Sequence, residues 1–108
     1  MQATNNLTLL DGIPFSSVEE RFMRAFMQAV RDGQRVVVKP STFYVEVNES
    51  LWLGITTYRN LEVLKDPGSF PHKRIDIESG SELDVACKAF VQKANQAAVA
   101  DILSDMGF

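Results

Sequence analysis

The central block of the chain, residues 42–58, is the feature that most limits the fold. Its two runs, TFYVEV and LWLGITTY, alternate between aliphatic and other side chains on either side of the polar turn Asn48-Glu49-Ser50. Successive side chains of a strand point to opposite faces of a sheet. The block therefore predicts an antiparallel hairpin whose core-facing residues are Phe43, Val45, Val47, Leu51, Leu53 and Ile55.

Shorter runs extend this hairpin into a meander. The β-branched run at 35–39, RVVVK, ends at the turn Pro40-Ser41 and predicts a strand that precedes the hairpin. Residues 72–77 predict a further strand at an edge, because Pro71 cannot donate to a ladder and the neighbouring charges discourage further pairing. Residues 61–65 fit either a strand or a helical turn.

A helix is predicted on each side of the meander. Residues 16–20, SSVEE, form a capping-box pattern before an apolar stripe of helical period, and Gly33 supplies a left-handed stop. A second S-x-x-E pattern at 79–82 opens another amphipathic stripe, which Gly107 ends. Each helix has one apolar stripe to bury, so both are expected on the same face of the sheet.

The predicted fold is therefore an α+β two-layer sandwich, a three- or four-stranded antiparallel meander with both helices on one face. We expect a single domain over residues 1–108, with 1–14 as an extended or partly flexible arm. The order helix, three strands, helix is similar to that of the double-stranded-RNA-binding domain. That family begins its second helix with lysines, whereas this chain has Ser81-Glu82-Leu83-Asp84, so the resemblance concerns the order of elements and implies no RNA binding.

Composition and motifs argue against catalysis. The single cysteine, Cys87, excludes an intramolecular disulfide and a CxxC pair, and the single histidine, His72, has no second ligand at metal-binding spacing. No phosphate-binding glycine loop or nucleophile elbow occurs. We therefore predict no enzyme activity, no cofactor and no metal. The N-terminal residues lack the pattern of a signal peptide, and no run is long and apolar enough for a membrane span, which predicts a cytoplasmic protein with no membrane partner.

The parity opposite the aliphatic set carries large aromatic side chains, and these suggest a surface for binding. Tyrosine and tryptophan either stabilise a half-solvated sheet or serve as binding hot spots. We predict that they are exposed, with Gly54 exposing backbone between them. The predicted partner-binding residues are Tyr44, Glu46, Trp52, Thr56, Tyr58 and Arg59.

Charge then guides the choice of partner. The net charge of −3 divides into −1 over residues 1–34, +2 over 35–74 and −4 over 75–108. A weakly basic middle beside an acidic C-terminal third favours a protein partner over nucleic acid. The expected function is a protein-binding inhibitor or adaptor of the kind encoded by phages or mobile elements. The alternatives are nucleic-acid binding by the same face with flanking Arg and Lys, and an acidic secretion chaperone; a homodimer is a further use of this face.

Overall fold

The structure, a computed structural model, describes residues 12–105 and 107, with side chains up to residue 97. Residues 1–11 of the predicted arm therefore lie outside the described part. Within the described part, two helices and five strands follow one another as α1 (Ser17–Arg31), β1 (Val36–Lys39), β2 (Thr42–Asn48), β3 (Leu51–Thr56), β4 (Asn60–Leu64), β5 (Lys73–Asp76) and α2 (Glu82–Asp105). The predicted α+β class is confirmed. The sheet has five strands because residues 60–64 and 73–76 both form strands, which extends it beyond the order of the double-stranded-RNA-binding domain.

The ends of α1 follow the predicted capping chemistry. The Ser16 hydroxyl accepts a hydrogen bond from the Glu19 N–H at 3.4 Å, which satisfies one of the free donors of the first turn. At the other end, Gly33 adopts φ +73°. Its N–H donates to the Val30 carbonyl at 3.1 Å, and the Gln34 N–H donates to the Ala29 carbonyl at 3.2 Å. This pair of bonds is the Schellman motif, and it places the chain to enter β1.

Helix α2 begins two residues later than its sequence pattern predicts. The capping side chain is Ser81, whose hydroxyl accepts from the Asp84 N–H at 3.2 Å. Asp84 in turn accepts from the Gly80 N–H at 2.8 Å through Oδ2. The capping pattern therefore reads S-x-x-D over 81–84, with the Asp84 carboxylate bonded to the N–H of the residue before the cap and not to that of the cap itself.

The sheet is a strict meander in which each strand pairs antiparallel with its chain neighbours, in the order β1-β2-β3-β4-β5. In the central pair, Phe43 lies opposite Ile55 and Val45 opposite Leu53. These side chains are buried beneath the helices, as their parity predicts. Phe26 of α1, Phe43 of β2 and Phe90 of α2 meet edge to face, with ring centroids 5.0–5.8 Å apart. This aromatic junction joins both helices to the sheet.

The opposite side of the sheet, here called the open face, carries residues of the other parity from all five strands. Its buried apolar side chains form a cluster of their own that contains no helix residue. The strand pairing assigns to the open face Val37, Lys39, Thr42, Tyr44, Glu46, Trp52, Gly54, Thr56, Asn60, Glu62, Leu64, Arg74 and Asp76.

Candidate functional site

Four of the six predicted binding residues lie on the open face. Tyr44 and Glu46 come from β2, and Trp52 and Thr56 come from β3. The register places Trp52 opposite Glu46 and Tyr44 opposite Gly54. The two aromatic side chains are therefore diagonal neighbours on adjacent strands.

The predicted exposure of these two rings is wrong. Tyr44 is 8% exposed and Trp52 is 6% exposed. They pack with Leu64 of β4, which is 1% exposed, and with the partly buried Val37 of β1. The open face thus contains a second, small apolar core, and both rings contribute to stability whatever else they do.

The connection between β4 and β5 is held by hydrogen bonds to β4 and to a side chain of β1. This connection, residues 65–72, is here called the strap and begins directly after Leu64. At its end, the His72 N–H donates to the Val63 carbonyl of β4 at 2.8 Å. The Lys39 ammonium, which projects onto the open face from the far strand β1, donates to the Pro67 carbonyl at 3.4 Å. Because the same ammonium lies over the Tyr44 ring, this bond brings the strap over the part of the open face that carries Tyr44. Tyr44 and Trp52 are buried in a cluster that contains no residue of the described helices.

Gly54 has a different role from the predicted one of exposing backbone. A Cβ atom added at Gly54 would lie 2.8 Å from Cδ1 and 2.9 Å from Cε1 of Tyr44. The tyrosine ring therefore lies across the glycine on the neighbouring strand and occupies the space of the missing side chain. Burial raises the pKa of the Tyr44 phenol, and the negative charge of Glu62 raises it further. Glu62 lies on β4, opposite Gly54.

Charged side chains lie at the border of the small core. The Arg35 guanidinium makes a bidentate pair with the Glu46 carboxylate, with Nε 3.0 Å from Oε1, and lies 5.7 Å from the centre of the Trp52 ring. The hydrogen bonds from Arg35 hold the pKa of Glu46 below its ordinary value. The Lys39 ammonium lies 5.5 Å from the centre of the Tyr44 ring. These contacts combine charge pairing with cation–π attraction.

The remaining two predicted residues, Tyr58 and Arg59, lie in the β3–β4 turn and not on the face. Strand β3 ends at Thr56, whose hydroxyl accepts from the Tyr58 N–H at 3.0 Å and donates to Asn60 Oδ1 at 3.1 Å. Tyr58 is 70% exposed. Arg59 adopts φ +65°, a left-handed conformation that costs a non-glycine residue free energy and that recurs at functional sites.

Sequence reasoning missed the most exposed large apolar side chain of the described residues. This is Phe70 on the strap, which is 94% exposed. The strap that presents it is internally bonded, since Asp66 accepts from the Gly68 N–H at 2.9 Å and from the Ser69 N–H at 3.1 Å. The Pro- and Gly-rich composition of 65–72 indicates a loop. Nothing local indicates that the loop folds back and turns this ring outward.

The surroundings of Cys87 do not favour a role as a nucleophile. The thiol is buried, and burial, followed by the negative charges of Asp84 and Glu19, raises its pKa to about 12. A thiol with this pKa is protonated at neutral pH and is a poor nucleophile.

The described surface also has a concave part, which lies at α1. This concavity of about 490 Å³ is lined by Glu20 and Arg31 of α1 and by Ile13 and Phe15, which precede it. The exposed His72 is not among its lining residues. Within residues 12–105, neither helix combines the length and apolar character that a membrane span requires.

Comparisons with known proteins add no relative. No family model, no curated protein and no solved structure matches the chain. The candidate site is therefore argued from its own geometry.

Proposed function

We propose that the protein is a non-enzymatic protein-binding module of the inhibitor or adaptor class, and that it meets its partner with the loops that border the open face. The observation that carries the proposal is the exposure of Tyr58 and Phe70, at 70% and 94%. Both rings are held on sheet connections with defined hydrogen bonds, so little side-chain and loop entropy is lost on binding. Aromatic residues presented in this way are the common anchors of protein interfaces.

The other predicted residues have supporting roles in this proposal. Tyr44 and Trp52 are buried in the small core, so they stabilise the sheet and do not contact the partner. Thr56 fixes the turn that carries Tyr58 through its two hydrogen bonds. Arg59 and the half-buried Glu46 supply polar contacts at the rim, which is where charged residues concentrate in interfaces.

The test is capture of partner proteins from a lysate of the source organism with immobilised wild-type and variant protein. Proteins retained by the wild type should be lost with Phe70→Ala and reduced with Tyr58→Ala. The matched control is Val85→Ala, which removes an apolar side chain that is 59% exposed on α2, on the helix side. Retention of the same proteins at full strength by the double variant Tyr58→Ala/Phe70→Ala would refute the proposal.

A second candidate, nucleic-acid binding, is favoured by the charge arrangement of the open face. Arg35 and Arg74 have side chains 76% and 54% exposed, whereas their partners Glu46 and Glu62 are each 12% exposed. An approaching polyanion meets the cations first. However, the rings that would stack on bases, Tyr44 and Trp52, are buried, so the binding would depend on phosphate contacts and weaken steeply with salt. Binding of a single-stranded oligonucleotide at low salt, measured by fluorescence anisotropy, decides between the two candidates.

A further inference from the structure

The two edges of the sheet differ in a way that points to a second binding surface, separate from Tyr58 and Phe70. The Glu46 N–H donates to the Arg35 carbonyl at 2.9 Å. In an antiparallel ladder, residues of a strand alternate between bonding their neighbour and pointing away from it. With Val36 opposite Val45, this alternation turns the N–H and C=O groups of Val36 and Val38 outward. Among residues 12–105, no strand pairs with these outward groups of β1, which lies at the edge of the sheet.

The same reasoning applied to the other edge identifies its outward residues as Arg74 and Asp76. The Ile77 N–H donates to the Arg59 carbonyl at 2.9 Å, so β5 bonds β4 at alternate residues and leaves those two turned away. Three of the four residues of β5, KRID, are charged. Charged side chains at an edge discourage the addition of another strand.

Strand β1 lacks that protection. Its sequence is VVVK, and Val36 is 46% exposed. The cations that flank the valines are directed inward over the sheet, Arg35 over the Trp52 ring and Lys39 over the Tyr44 ring. The outward main-chain groups of Val36 and Val38 thus lie on an edge strand that no other described strand covers, which is the arrangement used in β-strand addition.

We infer that the edge of β1 binds an extended segment of another protein that has apolar residues opposite Val36 and Val38 and acidic residues opposite Arg35 and Lys39. The apolar residues of the bound segment would lie on the helix side of the sheet, where Val38 packs on the main core. The acidic positions fall beside the two cations on the open face, because directly opposite side chains on adjacent strands are about 5 Å apart. This inference goes beyond the proposed function and depends on different residues.

A second copy of the chain fits this edge poorly. An antiparallel pair of β1 strands centred on Val37 would bring Arg35 of each copy opposite Lys39 of the other. Like charges directly opposite each other destabilise a pair of strands. The charge pattern therefore selects an acidic segment over self-association.

The test uses a synthetic peptide with the core Glu-Val-Thr-Val-Glu, whose symmetric pattern suits either strand direction. Its addition to the isotopically labelled full chain should shift the amide signals of Val36 and Val38 and slow their hydrogen exchange by about tenfold or more. A control peptide, Lys-Val-Thr-Val-Lys, should leave both signals unchanged. This measurement on the wild-type protein requires no variant to fold.

Two proline variants provide the matched comparison. Val36→Pro removes an outward donor at the first residue of a strand, a position where proline is tolerated, and should weaken peptide binding at least about tenfold. Asp76→Pro removes an outward donor at the other edge and should bind as the wild type does. Absence of shifts at Val36 and Val38 with millimolar acidic peptide, equal response to the lysine peptide, or shifts confined to Arg74 and Asp76 would overturn the inference. Protection of Val36 and Val38 in a dimer without peptide would overturn it in favour of self-association.

Discussion

The contact between Gly54 and Tyr44 leads to a prediction whose sign depends on the sequence background. In Gly54→Ala, the new Cβ would lie 2.8 Å from the Tyr44 ring, short of the 3.4 Å at which ordinary contact begins. The ring has little room to withdraw, because Tyr44 is 8% exposed beneath the strap. Overpacking of this kind costs about 1–3 kcal/mol. The gain from replacing glycine with alanine in a strand, about 0.5–1 kcal/mol, offsets part of that cost.

We therefore expect Gly54→Ala to lower the free energy of unfolding by about 1–2 kcal/mol in the wild-type background. In a Tyr44→Val background the ring is gone, so the same substitution should raise the free energy of unfolding by about 0.5 kcal/mol. Urea denaturation of the four proteins, followed by far-UV circular dichroism, completes the double-mutant cycle. Equal effects of Gly54→Ala in both backgrounds would refute the placement of the ring across the glycine.

Three further predictions concern capping, titration and the strap. Ser81→Ala should lower the free energy of unfolding in urea by about 1 kcal/mol, whereas Ser79→Ala should change it by less than about 0.5 kcal/mol; equal losses would contradict the capping assignment. The Cys87 pKa of about 12 exceeds the ordinary 9.0, so the unfolded chain loses this proton first and stability should fall as pH rises from 9 towards 12. In Cys87→Ala that slope should be smaller by up to about 1.4 kcal/mol per pH unit, and an unchanged slope would contradict the raised pKa. Lys39→Met should loosen the strap and increase about twofold the acrylamide quenching of Trp52, the only tryptophan. Unchanged quenching would show that Lys39 does not hold the strap in place.

Alternation along β2 and β3 was sufficient to assign the two faces of the sheet. Phe43 and Leu53 lie under the helices and Tyr44 and Trp52 on the other side, as predicted, because side-chain parity is a local property of a strand. Solvent exposure is not local. Trp52 is buried with Leu64 of β4 and Val37 of β1, which lie more than ten residues away along the chain. The sequence identified residues 65–72 as a loop without indicating where that loop packs.

The placement of Tyr58 shows a second limit of prediction from the sequence. Counting alternation as far as residue 58 assigns it to the face, but β3 ends at Thr56. The turn Thr57-Tyr58-Arg59 contains no glycine, proline or asparagine, so the usual signals of a turn are missing. Arg59 instead adopts the left-handed conformation itself. The short apolar run that became β4 was ambiguous for a related reason, since periodicity alone does not distinguish a brief strand from a helical turn.

The sheet order has a consequence for how the chain folds. Every strand pairs with the strand next to it along the chain, so each hairpin closes a short loop at small entropic cost. The contact between Phe26 and Phe90 joins distant parts of the chain and closes a far longer loop than any hairpin of the meander does. Docking of the last helix is therefore expected to complete the folding transition, and weakening that contact should accelerate unfolding far more than it slows the formation of the meander.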